Sequence, residues 1–536
     1  MTLKRYDVII LLTIQIRKRR ANLRARGKIY MKNNSIGALI ALILAAFLNG
    51  CGFSGGSQDS GIPEIGSSDG IDYSGTSGGI RVDDTGSAPE STTASHTGAN
   101  TAPEQTTTPG TTEQTTSASA EKPETTSSTA KPADTTRTTL KPAKTTSRTT
   151  QSAKPQEKPD TGSGARDYKA LNYSEVKGIW ISYIELADVL QGQTAEGFRR
   201  GIAGIFDNCV SLGINTAYVH VRSHSDAYYR SELFPWTKYA AGSVGSDPGY
   251  DPLEIMTEEA HSRGISFQAW INPLRACGTS QISGYKGYPV YTYATAEGMA
   301  GKYAVDVNGT YYLNPAYDEV TKYIADGAAE IVSNYDVDGL HIDDYFYPTT
   351  DASFDSAAFK ASGASSLEDF RFANCDRMVS ELYGAVRESN PTAVFSVSVQ
   401  GRIENNYTQL YADVRKWCTT PGYLDMMIPQ IYYGFENSAA PYKSTLDDWE
   451  ALGVKGGIPI VAGLSVSKAG CEDKWAGSGK YEWINNSDII SRQLAEARKC
   501  QSYGGFALYS YRSVFAPEST VSAAVNREIT ALKELI

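Results

Sequence analysis

The chain has 536 residues, room for one α/β barrel of roughly 250 residues or more with appended segments, or for two or three smaller domains. Its net charge of −10 is thinly spread, and no basic stripe follows residue 30, which excludes a nucleic-acid-binding surface. The 34 tyrosines are the compositional excess, and aromatic rings with a polar tip serve ligand-lined loops as well as cores.

Residues 1–30 combine an apolar run, Val8 to Ile16, with a dense Arg/Lys cluster and read as an upstream start-site artefact. A second start at Met31 opens a short basic segment, an apolar stretch from Ile36 to Leu48, and the tetrapeptide Leu48-Asn49-Gly50-Cys51. The apolar stretch has the length of an export signal and is too short for a confident membrane span. The tetrapeptide resembles a bacterial lipobox, so residues 31–51 are expected to be a lipoprotein signal and Cys51 the lipidated residue that ties the protein to a membrane. From 52 to 165 the chain turns Gly/Ser-rich, then Thr/Pro/Lys/Glu-rich, as in T-T-S-S-T-A-K-P-A-D-T-T-R-T-T. With almost no large apolar side chains it cannot offset the entropy of ordering, so it reads as a disordered tether with a reach of roughly 60 Å.

Residues 166–536 alternate strands and helices. Strand-like runs fall at 178–185, 214–221, 266–273, 339–345, 393–400, 424–432, 458–465 and 505–512. Amphipathic stretches include Phe198–Leu212, Pro252–Arg263, Glu319–Tyr335, Leu367–Ser389 and Val521–Leu535. Eight such pairs predict an α/β fold, a (β/α)8 TIM barrel preceded by the signal peptide and the long linker. Helix-to-strand joints are short and carry Gly213, Gly264 and Gly504, whereas the joints 222–251, 274–315, 346–366 and 466–484 are long and aromatic. In such barrels the strand-to-helix joints gather at the C-terminal face, which is therefore the working end.

Strand parity sharpens the expectation. Side chains alternate between faces, so apolar Leu340 and Ile342 turn outward while His341, Asp343 and Tyr345 turn inward, and Asp344 has the opposite parity. By the same rule Tyr218, His220 and Arg222 lie inside on the second strand, and Gln268, Trp270 and Asn272 on the third. Ser396, Ser398 and Gln400 follow on the fifth, and Gln430 and Tyr432 share a face on the sixth. Unpartnered buried polar groups cost about 1–3 kcal/mol each, so five adjacent strands aiming polar groups inward point to a pocket rather than to a purely structural core.

The runs V-K-G-I-W-I-S, R-S-H-S-D-A-Y-Y, P-W-T-K-Y, D-P-G-Y-D-P-L, A-W-I-N-P-L-R-A, Y-D-V-D-G-L-H-I-D-D-Y-F-Y-P and P-Q-I-Y-Y resemble, in this order, the glycosyl-hydrolase-like family 10. The resemblance implies an exported bacterial barrel glycosidase, with peptidoglycan glycan strands among its substrates in some members. This chain differs at His220, where the family tends to carry Gln, and at Val399-Gln400-Gly401, where it tends to carry Pro-Phe-Gly.

Glycoside hydrolysis usually takes two carboxyl groups, one to protonate the leaving oxygen and one to attack or to activate water. Asp338, Gly339 and Asp343 keep the spacing D-G-x-x-x-D, and Asp343, at the tip of the fourth strand, resembles the nucleophile of amylase-like barrels. The chitinase pattern D-G-x-D-x-D-x-E is also close, but His341 replaces its second Asp and its Glu is replaced by the loop near Phe346, which argues against that mechanism. For the second carboxyl, Glu404 stands after the fifth strand; Asp226 and Glu436 are the alternatives, and Asp344 divides between catalysis and a helix-cap or ion-pair role. His220, Arg222, Asp226, Trp236, Asn272, His341, Tyr345, Gln430 and Tyr432 are expected to bind the sugar or tune the carboxyls. The five histidines show no zinc-site spacing, no cofactor is implied, and the expected partners are a polysaccharide and, through Cys51, a membrane. The cysteines other than Cys51 are six in number, an even count that export would permit to pair; no pairing is expected.

Overall fold

A computed structural model describes residues 167–536. The segments expected to be a signal peptide and a tether, and Cys51, expected to be lipidated, lie outside the described residues. The strands are β1 (Val176–Ile181), β2 (Thr216–Arg222), β3 (Ser266–Ile271), β4 (Arg275–Gly278), β5 (Ala304–Val307), β6 (Thr310–Leu313), β7 (Gly339–Ile342), β8 (Val394–Gln400), β9 (Met426–Gln430), β10 (Ile460–Ser465) and β11 (Tyr503–Tyr509). Eight of them close into a parallel barrel in the order β1-β11-β10-β9-β8-β7-β3-β2, the order the eight expected runs require. The other three form an antiparallel sheet, β4-β6-β5, inside the long joint after β3, where sequence patterning shows only a loop.

Local signals set the helix ends. Asp251 caps Pro252–His261 by accepting from the backbone N–H groups of Leu253 and Glu254, with Pro252 at the first helical position, where its missing N–H costs nothing. Gly213 and Gly264, at φ +78° and +68°, take the left-handed turn that lets the chain leave a helix and enter β2 or β3 at once. The amphipathic faces then bury against the barrel. Phe198, Ile202 and Phe206 of one helix and Val320, Ile324 and Ile331 of another join outward-facing Ala217, Val219, Phe267, Ala269, Leu340, Ile342, Phe395 and Val397 in one continuous apolar layer.

The barrel interior is a separate, mixed core. Val176, Trp180, Tyr218, Trp270, Ile428, Val461 and Ala507 pack together there, alongside buried Gln268, His341, Ser396 and Ser398. Gly339 is required by this packing, because a Cβ would lie 2.0 Å from Gln268 Oε1 and 2.3 Å from the Val394 carbonyl oxygen. At the N-terminal end Asp338 is fully buried and staples the barrel shut. One of its oxygens accepts from Tyr168 Oη (2.6 Å) and Leu171 N (2.5 Å), the other from Phe267 N (2.7 Å) and His261 Nε2 (2.8 Å). The D-G dipeptide of the sequence pattern is thus a structural clamp at the end of the barrel opposite the site.

Candidate active site

The polar groups converge where β2, β3, β7, β8 and β9 end. Asp343 follows the last residue of β7 and is 4% exposed. Its Oδ1 accepts from Asn272 Nδ2 at 2.7 Å and Tyr345 N at 3.3 Å, and its Oδ2 from Trp270 Nε1 at 3.1 Å. The orientation of Asn272 is fixed from behind. Arg275, which has only donors, places Nη2 2.7 Å from Asn272 Oδ1, so the amide nitrogen must face the carboxylate.

His220 completes this chain of hydrogen bonds. Its Nδ1 accepts from the Tyr183 backbone N–H at 3.3 Å, which leaves Nε2 to donate to Asn272 Oδ1 at 3.1 Å, and its ring stacks on Trp270. His341 is fixed in the same way, accepting from Trp180 Nε1 at Nε2 (3.1 Å) and donating from Nδ1 to Ser396 Oγ (2.8 Å). Burial holds both imidazoles neutral, with His341 pushed down to about 3 and His220 lowered further by nearby Arg275. They are rigid spacers rather than proton carriers.

Asp344 departs from the parity expectation. The regular strand ends at Ile342, and the chain then turns so that consecutive carboxyls diverge onto different walls of one pocket. Asp343 leans on the β3 wall, whereas Asp344 Oδ1 accepts from Gln430 Nε2 at 3.1 Å on the β9 wall, near Gln400 of β8. It caps no helix. Burial, and then the charge of Asp344, push Asp343 up to about 7, and burial likewise raises Asp344. The pair therefore shares one proton near neutrality. Of the two, Asp343 is the harder to ionise and holds the proton up to about 7, while its oxygens accept from three N–H donors.

Arg275, at the start of β4, is buried opposite the pair, bonded to the Ser223 carbonyl at 3.0 Å and lying 4.3 Å from the ring centroid of Tyr345. Sequence reasoning missed it because it lies in a joint rather than on a barrel strand; the run A-W-I-N-P-L-R-A was the available signal. Tyr432 stands on the remaining wall, stacked on Tyr509, its hydroxyl kept protonated chiefly by burial and further by the charges of Tyr509 and the two aspartates.

Other expected residues sit elsewhere. Arg222 is not inside: the β2–β3 register shifts between His220 and Arg222, and this irregularity turns the guanidinium outward onto Phe234, 4.3 Å from its ring centroid, beside Gly327 of the helix Asp318–Asn334. Glu404 projects into solvent from the helix Ile403–Leu410 and pairs with Arg415 at 2.5 Å, so it does not supply the second carboxyl. Asp226 is buried within its own loop, accepting from His224 N at 3.0 Å, with Thr237 as a further partner. Glu436 is exposed and Trp236 is half-buried in the same loop as Asp226. The six described cysteines are free, and no group of His, Cys, Asp and Glu suited to holding a metal occurs among the described residues.

A closed parallel barrel with two carboxyl groups in its C-terminal mouth is a glycosidase-like architecture. The chain belongs to the family Glycosyl hydrolase-like 10, whose profile matches residues 175–476. It is 30% identical over 373 residues to glycosyl hydrolase DigH of Escherichia coli K12, covering 63% of this chain and 83% of that one. It is also 31% identical over 308 residues to glycosyl hydrolase YngK of Bacillus subtilis strain 168, covering 52% of this chain and 58% of the relative's length. Among solved structures, the glycoside hydrolase domain of PgaB (BpsB) from Bordetella bronchiseptica is similar at 13% identity and a TM-score of 0.43, covering 66% of this chain and 99% of that domain.

Proposed function

We propose that the chain is a glycoside hydrolase acting on a polysaccharide of the cell envelope, with peptidoglycan glycan strands the favoured substrate. The observation that carries this reading is the pair Asp343 and Asp344 at the end of β7, the first buried and held by Asn272 and Trp270, the second partly exposed and held by Gln430, with burial making both harder to ionise. One carboxyl group is then an acid able to protonate a glycosidic oxygen, and the other an anion able to stabilise positive charge at the anomeric centre. Envelope placement rests on the lipobox-like Cys51 and on the tether behind it; among the described residues no helix is long and apolar enough to cross a membrane.

The test is to incubate full-length protein with peptide-free peptidoglycan strands, chitin-type oligomers and α-glucans and to measure new reducing ends. Wild type should cleave the first, and Asp343→Asn and Asp344→Asn should each lose several orders of magnitude in rate. The rival reading is a glycan-binding lipoprotein without catalysis, favoured by the presence of Gln400 where amylase-like barrels carry an acid. It predicts retention of glycan by wild type and Asp343→Asn alike, with no new ends from either.

A further inference from the structure

We propose that Trp475 and Tyr481, on the joint that follows β10, form an aromatic platform that binds a sugar ring of the glycan outside the barrel mouth, so that long strands are taken in preference to short ones. The proposal rests on the glycosidase reading for the identity of the polymer and adds a second binding site to it. Trp475 is 73% exposed, Tyr481 46% and Ile484 47%. The other exposed large apolar side chains among the described residues, Val210, Val454 and Leu535, are aliphatic and stand at or just past the C-terminal ends of helices, which lie at the far end of a (β/α)8 barrel. The exposed aromatic pair therefore stands on a strand-to-helix joint, at the working end, where a contiguous apolar patch marks a contact surface.

Exposure here is not slackness. Glu482, a buried carboxylate, fixes this joint to the one after β9 by accepting from Phe435 N at 2.9 Å and Glu436 N at 2.8 Å. Lys468 and Asp473 form a buried ion pair at 2.6 Å, and Asp473 also accepts from the Trp475 backbone N–H at 3.4 Å. A backbone bond of 2.9 Å from Asp473 N to Lys480 O closes the turn that carries Trp475, with Tyr481 beside the closure. Gly477 and Gly479 let that turn lie against the neighbouring joint, since a Cβ would come within 2.1 Å of Ser438 Oγ at the first and 2.3 Å of the Glu436 carbonyl oxygen at the second. An indole held in water by so many fixed contacts forgoes its own burial, and a ligand that covers it gains that burial without the cost of ordering a loop.

The occupant that fits is a carbohydrate. β10 pairs with β9, with Gly463 opposite Gln430, and Gln430 is the residue that holds Asp344, so the platform follows the strand next to the one that grips the second carboxyl. A pyranose lays its apolar C–H face on an aromatic ring and keeps its hydroxyls for polar neighbours, here Lys480, whose Nζ lies 4.4 Å from the Tyr481 ring centroid. An anionic membrane surface would ask for a basic excess, whereas residues 472–484 set Glu472, Asp473 and Glu482 against Lys474 and Lys480. A protein partner would ask for more area. With roughly 200 Å² for a whole side chain of this size, the patch offers about 300–400 Å², under half of the ~800 Å² per partner in a stable interface.

The test uses full-length protein carrying Cys51→Ser, which removes the expected lipid anchor. Binding is read by co-sedimentation with insoluble peptide-free peptidoglycan in an Asp343→Asn background, and kinetics with Asp343 intact on long peptide-free strands and on tetrasaccharides cut from them. Trp475→Ala should weaken sedimentation and lower the preference in kcat/KM for long strands over tetrasaccharides on the order of tenfold, with the loss in KM rather than kcat, and Trp475→Phe should retain most of both. Undiminished sedimentation, or a rate loss equal for the two lengths, overturns the proposal while leaving the glycosidase reading intact. Sedimentation with phosphatidylglycerol vesicles that depends on Trp475, with glycan binding unchanged, makes the patch a membrane contact and overturns it as well. Glycan sedimentation that depends on Trp475, with no strand cleaved by protein that keeps Asp343, sustains the platform and sinks the glycosidase reading.

Discussion

Replacing Asp343 by asparagine should abolish hydrolysis and, in neutral solution, make the protein more stable. A carboxyl whose folded pKa lies above its unfolded value contributes stability that is fully present below the unfolded value and lost as pH rises through the folded one. Asp343 is raised from 3.8 to about 7, so the loss occurs between those two values. At about 1.4 kcal/mol per pH unit, the penalty carried by the wild type grows by about 2.5 kcal/mol between pH 5 and pH 8. The asparagine amide sets a donor against the Trp270 or Asn272 donor, which costs about 1–3 kcal/mol, but this cost does not depend on pH and cancels in the comparison. Because Asp344 keeps its own burial in the variant, the figure is an upper bound. With an unfolding entropy of about 2.1 cal/mol/K per residue across the barrel, it corresponds to a Tm difference between variant and wild type that grows by up to about 3 °C from pH 5 to pH 8. Thermal unfolding followed by circular dichroism at the two pH values measures it. A difference between variant and wild type that is the same at both would refute the reasoning, since Asp343 would then ionise as an ordinary surface carboxyl.

Glu404→Gln should leave kcat/KM within about twofold, because its exposed pair with Arg415 is worth at most about 1 kcal/mol; a tenfold loss in the reducing-end assay would return Glu404 to the site. A chain beginning at residue 165 should unfold cooperatively, whereas one beginning at residue 175 loses the Tyr168 and Leu171 bonds to Asp338. Hydrogen bonds to a charged group contribute about 1.5–3 kcal/mol each, so the shorter chain should melt several degrees lower, and equal melting temperatures would mean that the Asp338 clamp holds without this segment. Metabolic labelling of cells with a palmitate analogue should mark the full-length protein and be lost in Cys51→Ser; label retained in the variant would remove the lipid anchor. Activity should decline above about pH 7 as the pair loses its shared proton, and Asp344→Asn, by removing the neighbouring charge, should lower the Asp343 pKa, readable by NMR titration of its carboxyl.

How much of this was legible in the sequence depends on how far each feature follows from periodicity. Strand positions, barrel order and the inward set His220, Trp270, His341, Ser396 and Gln400 follow from alternation over regular strands, and the folded chain keeps them. Alternation fails where regularity does. Arg222 satisfies the inward pattern on paper, yet a single register shift after His220 sends it to the helix side. Asp344 fails the same pattern for a related reason: β7 stops at Ile342, so parity no longer governs the two residues that follow. Arg275 belongs to no barrel strand, and its place opposite the carboxyls depends on a three-stranded sheet folded into the joint after β3. Each irregular position stands at the C-terminal rim, where strands give way to joints. That is also where a barrel must break its own repeat to bring unlike groups together, so the residues that periodicity places worst are concentrated where the chemistry is proposed to occur. The divergence of Asp343 and Asp344 is the sharpest case. Had β7 continued regularly, one of the two carboxyls would have pointed into the apolar layer beneath the helices, and the pocket would have held one acid instead of two.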